Sequence, residues 1–192
     1  MSKLTRGEKV CAFVETYCLT PEGQHIGKPI KLEAFQRKFI LEIYDNPYGT
    51  HSAYLSIARK NGKTALIAAL LLAHLVGPEA VLNSQIVSGA RSKDQAAVIF
   101  ELARKMVDMS PTLSKLVRIQ PSGKRLIGLA RNVLYRALAA EGKTAHGLMR
   151  GERAEQAIEA AETVEHFAKG PVGLKFVAGK RVLDLSCGEG FG

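Results

Sequence analysis

The chain has 192 residues, of which 46% are apolar and 23% charged, the length and composition of one globular domain with a sizeable core. No unbroken apolar span reaches the roughly 18 residues a membrane helix needs, and the polar, charged start over residues 1–9 does not have the pattern of a signal peptide, so a cytoplasmic protein without a membrane partner is expected. The formal net charge of +9 favours polyanionic partners. Cys11, Cys18 and Cys187 are an odd number with neither a C-x-x-C pair nor a nearby His, which suggests buried reduced thiols rather than a zinc site or a disulfide framework.

In chain order, residues 9–19 place Val10, Phe13, Val14 and Tyr17 at helical spacing and end at Thr20-Pro21. A second helix is expected over 33–44, stopping near Asn46-Pro47. The pattern then turns to alternating strands and helices: a strand over 54–58, a helix over 63–75, a buried strand over 84–90, and a helix over 92–109 whose Ser92 and Gln95 suit a capping box. Short apolar runs at 116–119, 125–130 and 132–139 predict further strands, with Pro121-Ser-Gly123 as a turn. From Met149 a glutamate-rich amphipathic helix follows. Strand-helix-strand order of this kind predicts an α/β fold with a mostly parallel sheet flanked by helices on both faces.

Gly62-Lys63-Thr64 stands between the first of these strands and the apolar helix that follows it. A lysine and a hydroxyl at the opening of a helix suit a nucleoside triphosphate: backbone N–H groups cradle the phosphates, the lysine meets the β and γ oxygens, and the threonine holds Mg²⁺. ATP and Mg²⁺ are therefore the expected ligands, with Asn61, Gly62, Lys63 and Thr64 around the phosphates. The full pattern G-x-x-x-x-G-K-[ST] asks for glycine at position 57, where this chain has Ile57. Gly142-Lys143-Thr144 repeats the three letters, but no apolar helix follows it.

The run Ser56-Ile-Ala-Arg-Lys-Asn-Gly-Lys-Thr64 resembles the arginine-containing Walker A loop of the large terminase subunit of tailed bacteriophages, an ATP-driven DNA packaging motor. Upstream, Phe35-Gln36-Arg-Lys-Phe39 looks like that family's adenine-recognition segment, and downstream Gln85-Ile-Val-Ser-Gly-Ala-Arg-Ser-Lys-Asp-Gln95 looks like its second strand and following turn. The resemblance covers residues 8–148. It implies a P-loop NTPase-like fold, Gln36 near adenine, Arg59 as a charge stabiliser in cis, double-stranded DNA as substrate, and the small terminase subunit and the portal protein as partners in a phage- or prophage-encoded, host-cytoplasmic assembly.

Between residues 113 and 150 eight Lys and Arg face one acid, Glu141, a local excess of seven. Such a strip attracts phosphate backbone through counterion release. Lys124, Arg125, Arg131 and Arg136 are the candidate DNA contacts, against the alternative of a solvated hairpin face.

A P-loop hydrolase also needs a strand ending in an Asp for the metal and, in terminases, a following Glu to activate water. The four aspartates, Asp45, Asp94, Asp108 and Asp184, all lack a following Glu. The terminase-like region 1–148 is thus expected to be truncated before that Walker B element. The segment 149–192 is expected to be a helix plus a strand at the sheet edge, and Arg181-Val-Leu-Asp-Leu-Ser-Cys-Gly-Glu-Gly-Phe-Gly192 resembles motif I of class I S-adenosylmethionine-dependent methyltransferases. Asp184, Gly188, Gly190 and Gly192 carry that match. Three functions follow: an ATP-binding terminase motor fragment deficient in hydrolysis, the N-terminal part of a methyltransferase with a nucleic-acid-binding upstream region, or a non-catalytic DNA-binding scaffold.

Overall fold

The computed structural model describes residues 4–50, 52–58, 60–90, 93–139, 173–175 and 184–185. Two helices open the chain, α1 (Arg6–Tyr17) and α2 (Ala34–Tyr44). Helix α1 starts three residues before the position that apolar spacing predicts, because Thr5 and Glu8 form a reciprocal capping box. Then come β1 (Ser52–Tyr54), α3 (Lys63–Leu75), β2 (Gln85–Ala90) and α4 (Lys93–Met109). A short α5 (Leu113–Leu116) leads into β3 (Val117–Gln120), and β4 (Arg125–Gly128) and β5 (Val133–Ala139) complete a meander. Two further short strands are β6 (Gly173–Lys175) and β7 (Asp184–Leu185). No described helix is long and apolar enough to cross a membrane.

The described strands form one seven-stranded sheet in the order β1-β6-β7-β2-β5-β4-β3. Only β2–β5 and β2–β7 pair in parallel; the other four pairings are antiparallel, so the sheet is mixed where a mostly parallel one was expected. Connection length explains two of the four antiparallel pairings. The links between β3 and β4 and between β4 and β5 are tight turns, and a parallel pair would need a crossover of a dozen or more residues. The late strands also depart from expectation: β6 and β7 lie inside the sheet, between β1 and β2, rather than along its edge.

Helices α3 and α4 pack on one face of this sheet. Ser88 of β2 donates from its hydroxyl to the Ala96 carbonyl of α4 at 3.1 Å and shares a 2.7 Å hydrogen bond with the Tyr135 hydroxyl of β5. Gly128 of β4 meets the end of α3 so closely that a Cβ there would sit 2.3 Å from the Leu75 carbonyl oxygen, so only glycine fits. Helix α1 packs against both α2 and α3, which leaves α3 enclosed between the N-terminal helices and the sheet. Residues Leu66 to Leu75 are accordingly all buried, as expected of a helix that is apolar on every side. Its one buried imidazole, His74, shares a 2.8 Å hydrogen bond with the Tyr44 hydroxyl, and full burial pushes the Tyr44 phenol well above its ordinary pKa. Cys11 and Cys18 are free and buried, in line with reduced core thiols; desolvation raises both, Cys18 to about 12. Cys187 lies outside the described residues.

Candidate nucleotide-binding loop and basic sheet face

Helix α3 begins where the sequence places it, at Lys63, with Gly62 as its N-cap. Gly62 has φ 70° and ψ 15°, a left-handed conformation that glycine adopts without penalty. No side chain caps this helix and no acid lies in its first turn. Its first N–H groups and the positive end of its dipole therefore remain open to an anion. Lys63 and Thr64 are half-buried at this opening, whereas Asn61 and Gly62 are exposed.

The loop before α3 is braced from within. Asn61 Nδ2 donates to the Ala58 carbonyl at 3.2 Å, and Lys60 takes a positive φ of 68°, uncommon for a residue with a side chain. Ile57 is not among the residues with positive φ and is partly buried against the core, so the local path asks for no glycine there. The strand expected over 54–58 is displaced: β1 covers 52–54, and the apolar residues that follow form the approach to the loop.

Gln36, in the first turn of α2, reaches this loop. Its Nε2 donates to the Asn61 carbonyl at 3.4 Å while its Oε1 accepts from the Glu33 N–H at 3.1 Å, and the residue is only 8% exposed. The structure therefore brings together Gln36, Asn61, Gly62, Lys63 and Thr64. Arg59 lies outside the described residues, as does Gly142-Lys143-Thr144. These residues suit a nucleotide with its metal: Mg²⁺ binds through one or two protein oxygens plus phosphate oxygens rather than in an all-protein cage, and Thr64 supplies a hydroxyl at the helix opening. Among the described residues no group of three or more His, Cys, Asp or Glu is gathered to hold a metal.

The basic candidates divide between two sides of the sheet. Arg125 pairs directly with Arg136 on one side and Gln120 on the other; directly opposed residues share a face, as do residues two apart on a strand. Arg118, Arg125 and Arg136 therefore share the face opposite α3 and α4. Lys124 instead sits at the turn with φ 47°, its Nζ 2.5 Å from Glu101 Oε1 of α4 and 5.2 Å from the centre of the Phe100 ring. This hydrogen bond from Lys124 is the main cause of a Glu101 pKa below its ordinary value. The partner of Lys124 is 23 residues away in sequence, and no local signal announces it. Arg136 donates to Gln85 Oε1 at 2.9 Å, while Arg118, Arg125 and Arg131 are exposed. Sequence reasoning gave Arg118 no place among the leading candidates, although two-residue alternation along β3 would have aligned it with Arg125.

Of the methyltransferase-like residues only Asp184 is described. It pairs with Val87 of β2 in parallel and with Lys175 of β6, and Lys175 also pairs with Ser52 of β1. Asp184 thus stands level with the start of β1, whereas the loop before α3 leaves the opposite end of that strand. Gly188, Gly190 and Gly192 lie outside the described residues.

The family model for the terminase large subunit, ATPase domain, matches residues 35–153, more than half of the chain. The large terminase subunit of Enterobacteria phage HK97 is 65% identical over 145 residues, covering 76% of this chain and 29% of that protein. The crystal structure of the HK97 bacteriophage large terminase superposes with a TM-score of 0.72 at 49% identity, covering 96% of this chain and 38% of that one. The large terminase ATPase domain of Thermus phage P74-26 gives a TM-score of 0.48 at 17% identity, over 91% of this chain and 72% of that one. This chain therefore spans roughly a third of the HK97 proteins it resembles. The match over more than half of its length shows that the chain belongs to the terminase large subunit ATPase domain family.

Proposed function

We propose that this chain is the ATP-binding part of a DNA-packaging motor, which holds Mg-ATP at the loop before α3 and contacts double-stranded DNA through a basic sheet face. The uncapped start of α3 behind a left-handed Gly62 is the observation that carries this proposal. Backbone N–H groups of Gly62 and the first turn receive the β and γ phosphates, Lys63 neutralises them, and Thr64 offers its hydroxyl to Mg²⁺. Gln36 lies at the adenine side and Arg59 acts on developing charge. Membership of the family supports packaging in a bacterial cytoplasm, with a small terminase subunit and a portal protein as partners.

In this 192-residue polypeptide binding is expected without efficient turnover. Phosphoryl transfer depends on a positioned base and a carboxylate near the metal. No aspartate precedes a glutamate, and the backbone of Asp184 pairs with Val87 and Lys175, level with the start of β1. Calorimetric titration and a phosphate-release assay on the same sample test this proposal. Saturable Mg-ATP binding with release at the buffer rate is expected; rapid release that is lost in Asp184→Asn would contradict it.

A further inference from the structure

We infer that Gln36 is a positioning residue of the phosphate loop, whose amide fixes the peptide between Asn61 and Gly62 and so supports the binding of any polyphosphate, whatever base it carries. The inference rests on the proposed nucleotide site and deepens it, since family resemblance assigns Gln36 only to adenine.

The Asn61 carbonyl and the Gly62 N–H belong to one planar trans peptide, so they point in opposite directions. Gln36 Nε2 donates to that carbonyl at 3.4 Å, which keeps it turned toward α2 and directs the Gly62 N–H away from α2. A left-handed glycine is the residue most able to exchange one peptide orientation for another, and Gly62 has φ 70°, where a Cβ would meet only Gln36 Nε2, at 3.5 Å. Were this peptide to turn over, a carbonyl oxygen would replace an N–H donor at the opening of α3 and repel phosphate.

Gln36 is itself held firmly. Its Oε1 accepts from the Glu33 N–H at 3.1 Å, which anchors the amide to the start of α2. At 8% exposure little of it faces water, so a lost partner is not replaced by solvent without cost. One N–H and one acceptor site of the amide remain for a base, which makes the two roles compatible. The Asn61 side chain, bonded to Ala58, braces the other flank of the same peptide.

The test compares wild type, Gln36→Leu and Gln36→Ala in titrations with Mg-ATP, Mg-GTP and magnesium tripolyphosphate, with amide hydrogen exchange followed in parallel. Leucine keeps the side-chain volume near that of glutamine but cannot donate. Both variants are expected to lose about tenfold in tripolyphosphate affinity, the size associated with one buried unsatisfied group. Exchange should quicken at residues 60–64 while α1 amides keep their wild-type rates, which separates loop release from general unfolding. Tripolyphosphate affinity within twofold of wild type, with only the preference for ATP over GTP lost, would show a base reader alone and overturn the inference. Wild type that binds neither ATP nor tripolyphosphate would instead overturn the nucleotide site on which it rests.

Discussion

Replacing Lys63 with alanine is expected to reduce Mg-ATP affinity by a hundredfold or more, with no loss of the fold. The lysine is half-buried at the start of α3 and has no ion pair among the described residues, so its ammonium is available to the phosphates. A charged hydrogen bond is worth about 1.5–3 kcal/mol, and a triphosphate engages the lysine through more than one oxygen. Helix α3 should survive, because its stability comes from the buried run Leu66 to Leu75 rather than from its first residue. Lys143→Ala, in the repeated Gly-Lys-Thr, should bind as wild type does. Displacement of a fluorescent nucleotide measures both variants, and equal losses in the two would contradict placement of the site at residues 61–64.

The second large effect concerns DNA. Arg125 and Arg136 stand directly opposite each other on adjacent strands, with Arg118 on the same face. Arg118 and Arg125 are exposed there, and a phosphate backbone would meet both. Duplex binding without sequence preference is expected, with a slope of log affinity against log salt of about −2 to −3, since each neutralised phosphate contributes about −0.9. Arg118→Glu with Arg125→Glu should flatten that slope by about two units and remove most binding at low salt. Lys124→Ala should change it least, because Glu101 already neutralises that lysine. Filter binding across a salt series decides the matter; a slope unmoved by the double reversal would assign DNA contact elsewhere.

Much of this architecture is legible in the residues themselves, for physical reasons that can be named. Helix α3 is found to the residue because glycine, lysine and threonine mark its start and a continuous apolar run fills its length. Helix α2 begins at Ala34, one residue after the expected start, where Gln36 accepts from the Glu33 N–H. Where the structure departs, non-local contacts decide. Residues 55–58 are apolar enough for a strand but serve as the approach to the loop. Alternation of β with α suggests parallel pairing, yet two tight turns fold β3, β4 and β5 into a meander. A count of charges finds the basic strip but cannot tell which side chains turn back onto α4, as Lys124 does. The contact from Gln36 to Asn61 spans 25 residues and has no signature in either segment.

The central claim is that the loop preceding α3, braced by Gln36, is where this terminase domain holds nucleotide. Amide hydrogen exchange across the whole chain, with and without saturating Mg-ATP, tests it most directly because it reports the site without assuming it. Nucleotide-dependent protection is expected to concentrate in residues 57–66 and at the start of α2, where Glu33 and Gln36 lie. Protection confined to other segments, with those two regions exchanging as in the nucleotide-free protein, would contradict the account.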